Sequence, residues 1–363
     1  MSWAVWITGL PGSGKSTIAR AAAAELAARG RRPVVLELDA LRRLLTPEPK
    51  YSAAEREVVY RSLVAMAAAL VDAGLPVIID ATGHRRAWRD LARARLANFA
   101  EVQLRCPLSL SQARERARPA GHAPPGIYAR AGRPGATVPG VDVAYEEASC
   151  PELVVDTAVE DPSAAAARIA RLVEAWPRAA APAAAGAGWV IWITGLPGSG
   201  KTTLADRAVE ELTLRGLPAR RLSWADFRGV MPPGPPLEWE DEILHRALVV
   251  TAMLLADAGV RVIVDATAPR RRWRELARRL VRRFAEVQLR CPRAICAERE
   301  LRGRWSAPGA AAPAAPDIVP TYEEALVPEL ALDTDLRDVQ GCVQEIVRLA
   351  CRLERSGGEV SPV

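Results

Sequence analysis

The stretch Gly9-Leu10-Pro11-Gly12-Ser13-Gly14-Lys15-Ser16 decides the reading of this chain, and it returns as Gly195-Leu196-Pro197-Gly198-Ser199-Gly200-Lys201-Thr202. Both copies fit G-x-x-x-x-G-K-[ST], in which glycines permit a tight turn whose successive N–H groups form an anion nest at the start of a helix. The basic residues sharpen the point. Of 49 lysines and arginines, only Lys15, Lys50 and Lys201 are lysine. Arginine's planar fork and lysine's compact ammonium are not interchangeable, so a chain that otherwise writes arginine keeps lysine where a flexible point charge must reach phosphate oxygens.

The expected phosphate contacts are Gly9, Gly12, Ser13, Gly14, Lys15, Ser16 and Thr17 in the first copy, and Gly195, Gly198, Ser199, Gly200, Lys201, Thr202 and Thr203 in the second. ATP is the expected nucleotide, and the Ser16 and Thr202 hydroxyls are expected to hold the Mg2+ that bridges its phosphates. The flanks agree. Trp3 to Ile7 and Trp189 to Ile193 read as short buried strands, and helical patterns run from Thr17 to Ala28 and from Thr203 to Leu214, each ending near a glycine, Gly30 or Gly216.

The repeat continues beyond the loops. Phe99-Ala100-Glu101-Val102-Gln103-Leu104-Arg105-Cys106-Pro107 recurs unchanged at Phe284 to Pro292, and Tyr145-Glu146-Glu147 recurs at Tyr322-Glu323-Glu324. A period this long denotes duplicated domains, not a solenoid of short units. We expect domains at 1–176 and 189–363 joined by an Ala/Pro/Gly linker at 177–188. Within the first half, strands are expected at Ala4 to Thr8, Pro33 to Leu38, Leu75 to Asp80, Glu101 to Arg105 and Leu153 to Asp156. Helices fill the gaps, notably Ala53 to Asp72, Ala87 to Asn98 and Ser163 to Trp176. Such alternation predicts an α/β fold: two tandem P-loop NTPase domains, each a parallel sheet with helices on both faces.

Bulk properties exclude several classes. The net charge of +6 is small for 363 residues and most arginines share helices with acids, so nucleic acid is not an expected partner. Six cysteines show no C-x-x-C pair, and His84, His122 and His245 have no metal spacing. No stretch approaches a membrane span and the N-terminal apolar run is too short for a signal peptide, so the expectation is a cytoplasmic chain.

Ligands of open α/β sheets bind outside the carboxyl ends of the strands, which directs attention to the acids there. Asp39 follows the second strand with Arg42 one turn on; it could accept a substrate proton, contact Mg2+ through water, or cap the next helix. Asp80 and Asp265, each before Ala-Thr, are the expected second contacts of Mg2+. Arg56, Arg61, Arg85, Arg86 and Arg89 could supply guanidinium forks for an anionic acceptor. The Gly/Pro-rich segment from Arg118 to Gly140, with Tyr128, Arg130 and Arg133, has the composition of a lid that excludes water.

At these residues the chain resembles the adenylylsulfate kinases, P-loop enzymes that phosphorylate the 3'-hydroxyl of adenosine 5'-phosphosulfate. The likeness runs through Asp39-x-x-Arg42, Tyr51-Ser52-x-x-Glu55-Arg56, Asp72-Ala73-Gly74, Arg86-Ala87-Trp88-Arg89, Gly126-Ile127-Tyr128, Gly140-Val141-Asp142, Tyr145-Glu146 and Pro151-Glu152-Leu153. By resemblance, Asp39, Arg42, Arg56, Arg61 and Tyr128 bind or activate the adenylyl sulfate, and the chain serves sulfate assimilation. Asp80-Ala81-Thr82 is closer to a neighbouring group of small-molecule and polynucleotide kinases. The second copy keeps Lys201, Thr202, Asp265 and Arg228, but has Ala225 at the place of Asp39, with Asp226 one residue late, and an Ala/Pro-rich stretch at 307–316 in place of the lid.

The expected function is therefore ATP-dependent phosphoryl transfer to a small anionic acceptor, adenylyl sulfate in first place, with Lys15, Asp39 and Asp80 catalytic. The second domain is expected to bind nucleotide with an altered or lost acceptor site. The competing readings are a kinase for a nucleoside, a sugar acid or a polynucleotide 5'-end, and an ATP-binding regulatory protein. The repeat leaves room for a homodimer or for intramolecular pairing of the two domains.

Overall fold

The structure, a computed structural model, describes residues 2–118, 126–177, 188–234, 236–305 and 321–355. The expected linker lies outside the described residues except at its two ends, as do the first seven residues after Arg118 in the expected lid and all of 307–316. The chain divides into two compact units, Met1–Ala181 with Val230–Ala247, and Pro182–Gly229 with Leu248–Val363.

In the first unit the order is β1 (Ala4–Thr8), α1 (Lys15–Ala28), β2 (Val34–Glu37), α2 (Leu38–Leu45), α3 (Ala53–Asp72), β3 (Val77–Asp80), α4 (Arg86–Arg95), β4 (Phe99–Arg105), α5 (Leu108–Ala117), β5 (Leu153–Asp156) and α6 (Pro162–Leu172). All five strands are parallel, in the order β2-β3-β1-β4-β5. The later segment repeats the plan with β6 (Trp189–Thr194), α7 (Lys201–Leu214), β7 (Ala219–Ser223), α8 (Trp224–Arg228), α9 (Glu238–Asp257), β8 (Arg261–Asp265), α10 (Arg271–Leu280), β9 (Phe284–Arg290), α11 (Arg293–Trp305), β10 (Leu330–Asp333) and α12 (Val339–Arg355). Its sheet, β7-β8-β6-β9-β10, is the same topology.

The loop-bearing strand is central and hydrophobic up to its terminal threonine because both of its faces are covered. Trp3, Val5 and Ile7 pack with Ile18 and Leu26 of α1 and Ile169 of α6, all essentially buried. Trp6 points the other way, toward Tyr60 of α3, which stacks on Trp88 of α4 with centroids 4.0 Å apart. In the second sheet Trp189, Ile191 and Ile193 pack with α7 and α12 in the same manner as β1 with α1 and α6. This placement puts the turn after β1, and that after β6, at the point where the strand order reverses, where the carboxyl ends open a crevice.

The structure moves some boundaries. β2 stops at Glu37 because Leu38 is already helical; α2 starts there, Asp39 lies in its first turn, and the residue before the helix, Glu37, makes no side-chain cap. Asp39 is therefore not a cap. Helix α4 ends at Arg95, short of the expected Asn98, where Leu96 turns extended and leads into β4.

Candidate active site

Backbone geometry first fixes the loop. Gly14 precedes α1 in the left-handed region (φ 97°), and Gly200 does the same before α7. Gly12 is also left-handed (φ 78°), and a Cβ there would meet the Ser111 carbonyl oxygen at 2.2 Å; at Gly198 it would meet that of Cys296 at 2.1 Å. Only glycine permits either turn. The Ser13 and Ser199 hydroxyls are buried with no hydrogen-bond partner among the described residues.

Lys15 is enclosed. Its Nζ donates to the Leu10 carbonyl at 2.9 Å, and burial lowers its pKa although Asp80 and Asp39 pull the other way. Lys201 donates to Gly195 O at 3.1 Å and Leu196 O at 2.9 Å, with burial again lowering its pKa. Each lysine is thus parked on loop carbonyls, weak acceptors that a phosphate oxygen can replace.

At the end of β3, burial pushes the Asp80 carboxyl up to about 6, opposed by Lys15 and by a hydrogen bond from Ser16, while Glu37 and Asp39 add to the rise. In the second unit Thr202 Oγ1 donates to Asp265 Oδ2 at 2.7 Å. Each copy therefore joins the hydroxyl after its lysine to a strand-terminal carboxylate.

Beside the first loop lies a cavity of about 230 Å³ whose wall includes Pro11, Lys15, Asp39, Arg42, Lys50, Tyr51, Arg56, Tyr60, Asp80, Thr82, His84, Ile127 and Arg130. Five of these side chains are cationic and two are carboxylates, an imbalance suited to an anion. Arg42 is buried and held from two sides: Glu55 Oε1 accepts from Nη1 at 3.0 Å, and the Tyr51 ring lies 4.9 Å from the guanidinium carbon. Glu55 is anchored in turn. It is the third residue of α3, Ser52 Oγ accepts its N–H at 3.1 Å, and its carboxylate accepts the Lys50 and Tyr51 amides at 2.7 and 3.2 Å. Tyr51 pays with a left-handed φ of 54°, strain stored at the rim of the site. Arg56, by contrast, is half-buried and has no ion pair with any carboxylate among the described residues, and desolvation lowers its pKa.

Several expected residues stand elsewhere. Arg61 does not line the cavity: its Nε is 2.5 Å from Glu57 Oε1, one helical turn back, and five residues after Arg56 it faces a different side of α3. Tyr128, in a short 3-10 turn (Tyr128–Arg130), donates its hydroxyl to the Pro11 carbonyl at 2.8 Å and so braces the loop, while its neighbours Ile127 and Arg130 reach the cavity. Arg89 is wholly buried and structural. It pairs with Glu101 at 2.5 Å and donates to the Gly83 and Glu146 carbonyls. Arg86 bonds Ser149 at 2.9 Å, outside the cavity.

The cavity also holds residues that sequence reasoning missed. His84 packs edge-on to Trp88 at 5.0 Å, and burial among arginines lowers its pKa to about 4, so it is neutral. Tyr60 lines the wall, and its oxygen accepts the Gly83 amide at 3.0 Å. The Ser52-x-x-Glu55 capping spacing was the available signal for Glu55, and the four-residue step from Arg56 was the signal for Tyr60.

In the second unit Arg228 lies in the short helix α8 and Ala225 occupies the place of Asp39. The framework is otherwise copied: Arg274 pairs with Glu286 at 2.6 Å, and Thr194 with the Tyr322 hydroxyl at 3.1 Å, matching Thr8 with Tyr145 at 2.9 Å.

The sequence model of the family described as adenylylsulphate kinase matches residues 1–156 and again 187–333. A probable adenylyl-sulfate kinase of Archaeoglobus fulgidus is 39% identical over 164 residues, 44% of this chain and 99% of that protein. The adenylyl-sulfate kinase of Geotalea uraniireducens is 37% identical over 47% of this chain and 79% of its own length. Among solved structures, the APS kinase of Mycobacterium tuberculosis in complex with AMPPNP and APS is 30% identical, covering 48% of this chain and 98% of that one with a TM-score of 0.42. With the match spanning both halves, the chain belongs to the adenylylsulphate kinase family and carries the family's domain twice.

Proposed function

We propose that the first domain, 1–176, transfers the γ-phosphoryl group of ATP to the 3'-hydroxyl of adenylyl sulfate, and that the second, 189–363, binds nucleotide with an altered or lost acceptor site. As a member of its family the chain is a phosphotransferase with a hydroxyl acceptor. The observation that carries the finer reading is one cavity in which Lys15, Asp39, Arg42 and Arg56 face each other beside the phosphate loop.

The loop amides and Lys15 hold the transferring group and offset charge that develops on it. Asp39 accepts the proton of the attacking hydroxyl, aided by its position at the start of α2 beside the cavity. Arg56, with no carboxylate partner among the described residues, is the first candidate to grip the acceptor's anionic group; Arg42, fixed by Glu55 and Tyr51, orients it. Tyr128 braces the loop. Such positioning supplies most of the rate in phosphoryl transfer, whose loose transition state needs little covalent help.

Ser16 and Asp80 are oxygen donors of the kind Mg2+ takes when it keeps several waters and completes its shell with substrate phosphates. The residues fit that ion, which when bound neutralises charge on the β- and γ-phosphates.

The test is transfer from labelled ATP to a panel of acceptors: adenylyl sulfate, nucleosides, gluconate and a polynucleotide 5'-hydroxyl. Turnover with adenylyl sulfate alone is expected. Transfer to another acceptor with none to adenylyl sulfate would refute the assignment.

A further inference from the structure

The carboxylate that should serve a metal in the second unit is already engaged by a guanidinium. Asp265 Oδ2 accepts from Thr202 Oγ1 at 2.7 Å and lies 3.4 Å from Arg221 Nη1. Arg221 Nε is 3.1 Å from Asp206 Oδ1 on α7, so the guanidinium bridges helix and strand. The first copy has no such bridge. At the 186-residue offset that relates the two loops, Arg221 stands for Val35 and Asp206 for Arg20, two positions that differ together.

The neighbouring acids differ as well. Glu37 is in register with Asp80, and Ser223 holds the same register against Asp265. Ala225 stands for Asp39. Asp80 thus feels one cation, Lys15, and two further acids. Asp265 meets Lys201 and Arg221, while its two acidic neighbours have become neutral; Glu300 and Cys296, from α11, act on Lys201. A divalent cation is drawn to the first arrangement, and a polyphosphate without one is better served by the second.

We propose that the second phosphate loop takes its nucleotide without a divalent cation, Arg221 engaging Asp265 and supplying, with Lys201, the positive charge that Mg2+ supplies in the first. This rests on the reading that the Lys201 loop binds nucleotide at all.

The experiment measures binding of a fluorescent N-methylanthraniloyl ADP to full-length variants in excess Mg2+ and in excess EDTA. In Lys15→Ala, which reports the second loop, Kd should change by less than about threefold between the buffers; in Lys201→Ala, which reports the first, EDTA should weaken binding about tenfold or more. Adding Arg221→Val to Lys15→Ala should introduce a metal dependence of about tenfold. The inference is overturned if Lys15→Ala loses tenfold in EDTA, or if Arg221→Val leaves the ratio between buffers unchanged. Absence of saturable binding to Lys15→Ala in both buffers is a different result, refuting nucleotide binding at the second loop itself. Should Lys15→Ala fail to fold, the unmodified chain decides: EDTA should abolish one class of site and leave one, and loss of both overturns the inference.

Discussion

Replacing Asp80 with asparagine separates what the first site costs the fold from what it does. The residue is 4% exposed, and its carboxyl ionises at about 6 where the ordinary value is 3.8. Burial is the main cause, Glu37 and Asp39 add to it, and the attraction of Lys15 is already contained in that balance. Keeping the charge in the folded protein at alkaline pH therefore costs about 3 kcal/mol. The sign follows from proton binding. The folded carboxyl holds its proton more tightly than the unfolded one, so this group's contribution is most favourable below pH 3.8 and is lost as pH rises through about 6. Asparagine fills the same volume and can still accept from Ser16 without the charge. Metal-free Asp80→Asn should then exceed the parent in stability by up to about 3 kcal/mol at about pH 8, the difference closing as pH falls from 6 toward 4. His84, lowered to about 4, behaves oppositely, since its contribution is present above its ordinary 6.5 and lost as pH falls through 4. Being present in both proteins, it cancels in the difference. Urea unfolding in EDTA, read by hydrogen exchange in peptides of the first unit, makes the comparison. Turnover should meanwhile fall by about 10²-fold or more. An Asp80→Asn protein no more stable than the parent at alkaline pH, or a difference that does not close on acidification, would refute the reasoning.

Lys15→Ala should abolish transfer to adenylyl sulfate whereas Lys201→Ala should leave kcat for that acceptor within about threefold, as steady-state assays with labelled ATP would register. Asp39→Asn should lower kcat by roughly 10²- to 10⁴-fold with ATP binding little changed, the signature of a group needed only as the proton moves; a loss confined to KM would contradict its role. Arg89→Met strands the buried Glu101 carboxylate and two carbonyls, so it should cost about 3–5 kcal/mol in chemical unfolding, and adding Glu101→Met should recover most of that.

The glycine spacing and the hydrophobic strand before it were enough to read the parallel sheet and the loop, because both are local: φ > 0 at Gly12 and Gly14 and an apolar run in Trp3 to Ile7 need no distant partner. Tertiary pairing decided what the pattern could not. Arg56, Arg61 and Arg89 look alike in sequence, yet one faces the cavity, one turns to Glu57, and one is buried among carbonyls whose partners lie 6 and 57 residues away. His84 has no metal spacing in the sequence, and its place in the cavity wall is visible only once Tyr60 and Trp88 are stacked behind it.

The two copies differ in a way that tells structure from chemistry. Both keep the buried arginine and its carboxylate, Arg89 with Glu101 and Arg274 with Glu286, and both keep the threonine–tyrosine pair at the end of the central strand. Removing one partner of a buried ion pair is strongly destabilising, so neither partner changes alone without cost to the fold, whatever the site does. Nothing in folding requires Asp39 or Glu37: acids at a strand end beside a buried carboxylate raise that carboxylate's cost, as at Asp80. Their replacement by Ala225 and Ser223 relieves the second copy of that repulsion, and Arg221 adds an attraction in its place. On the proposed reading, the first copy carries the electrostatic penalty because its carboxylates serve a metal and a hydroxyl, and the second copy, with Ala225 in place of Asp39, has shed that penalty together with the proposed acceptor of the hydroxyl proton.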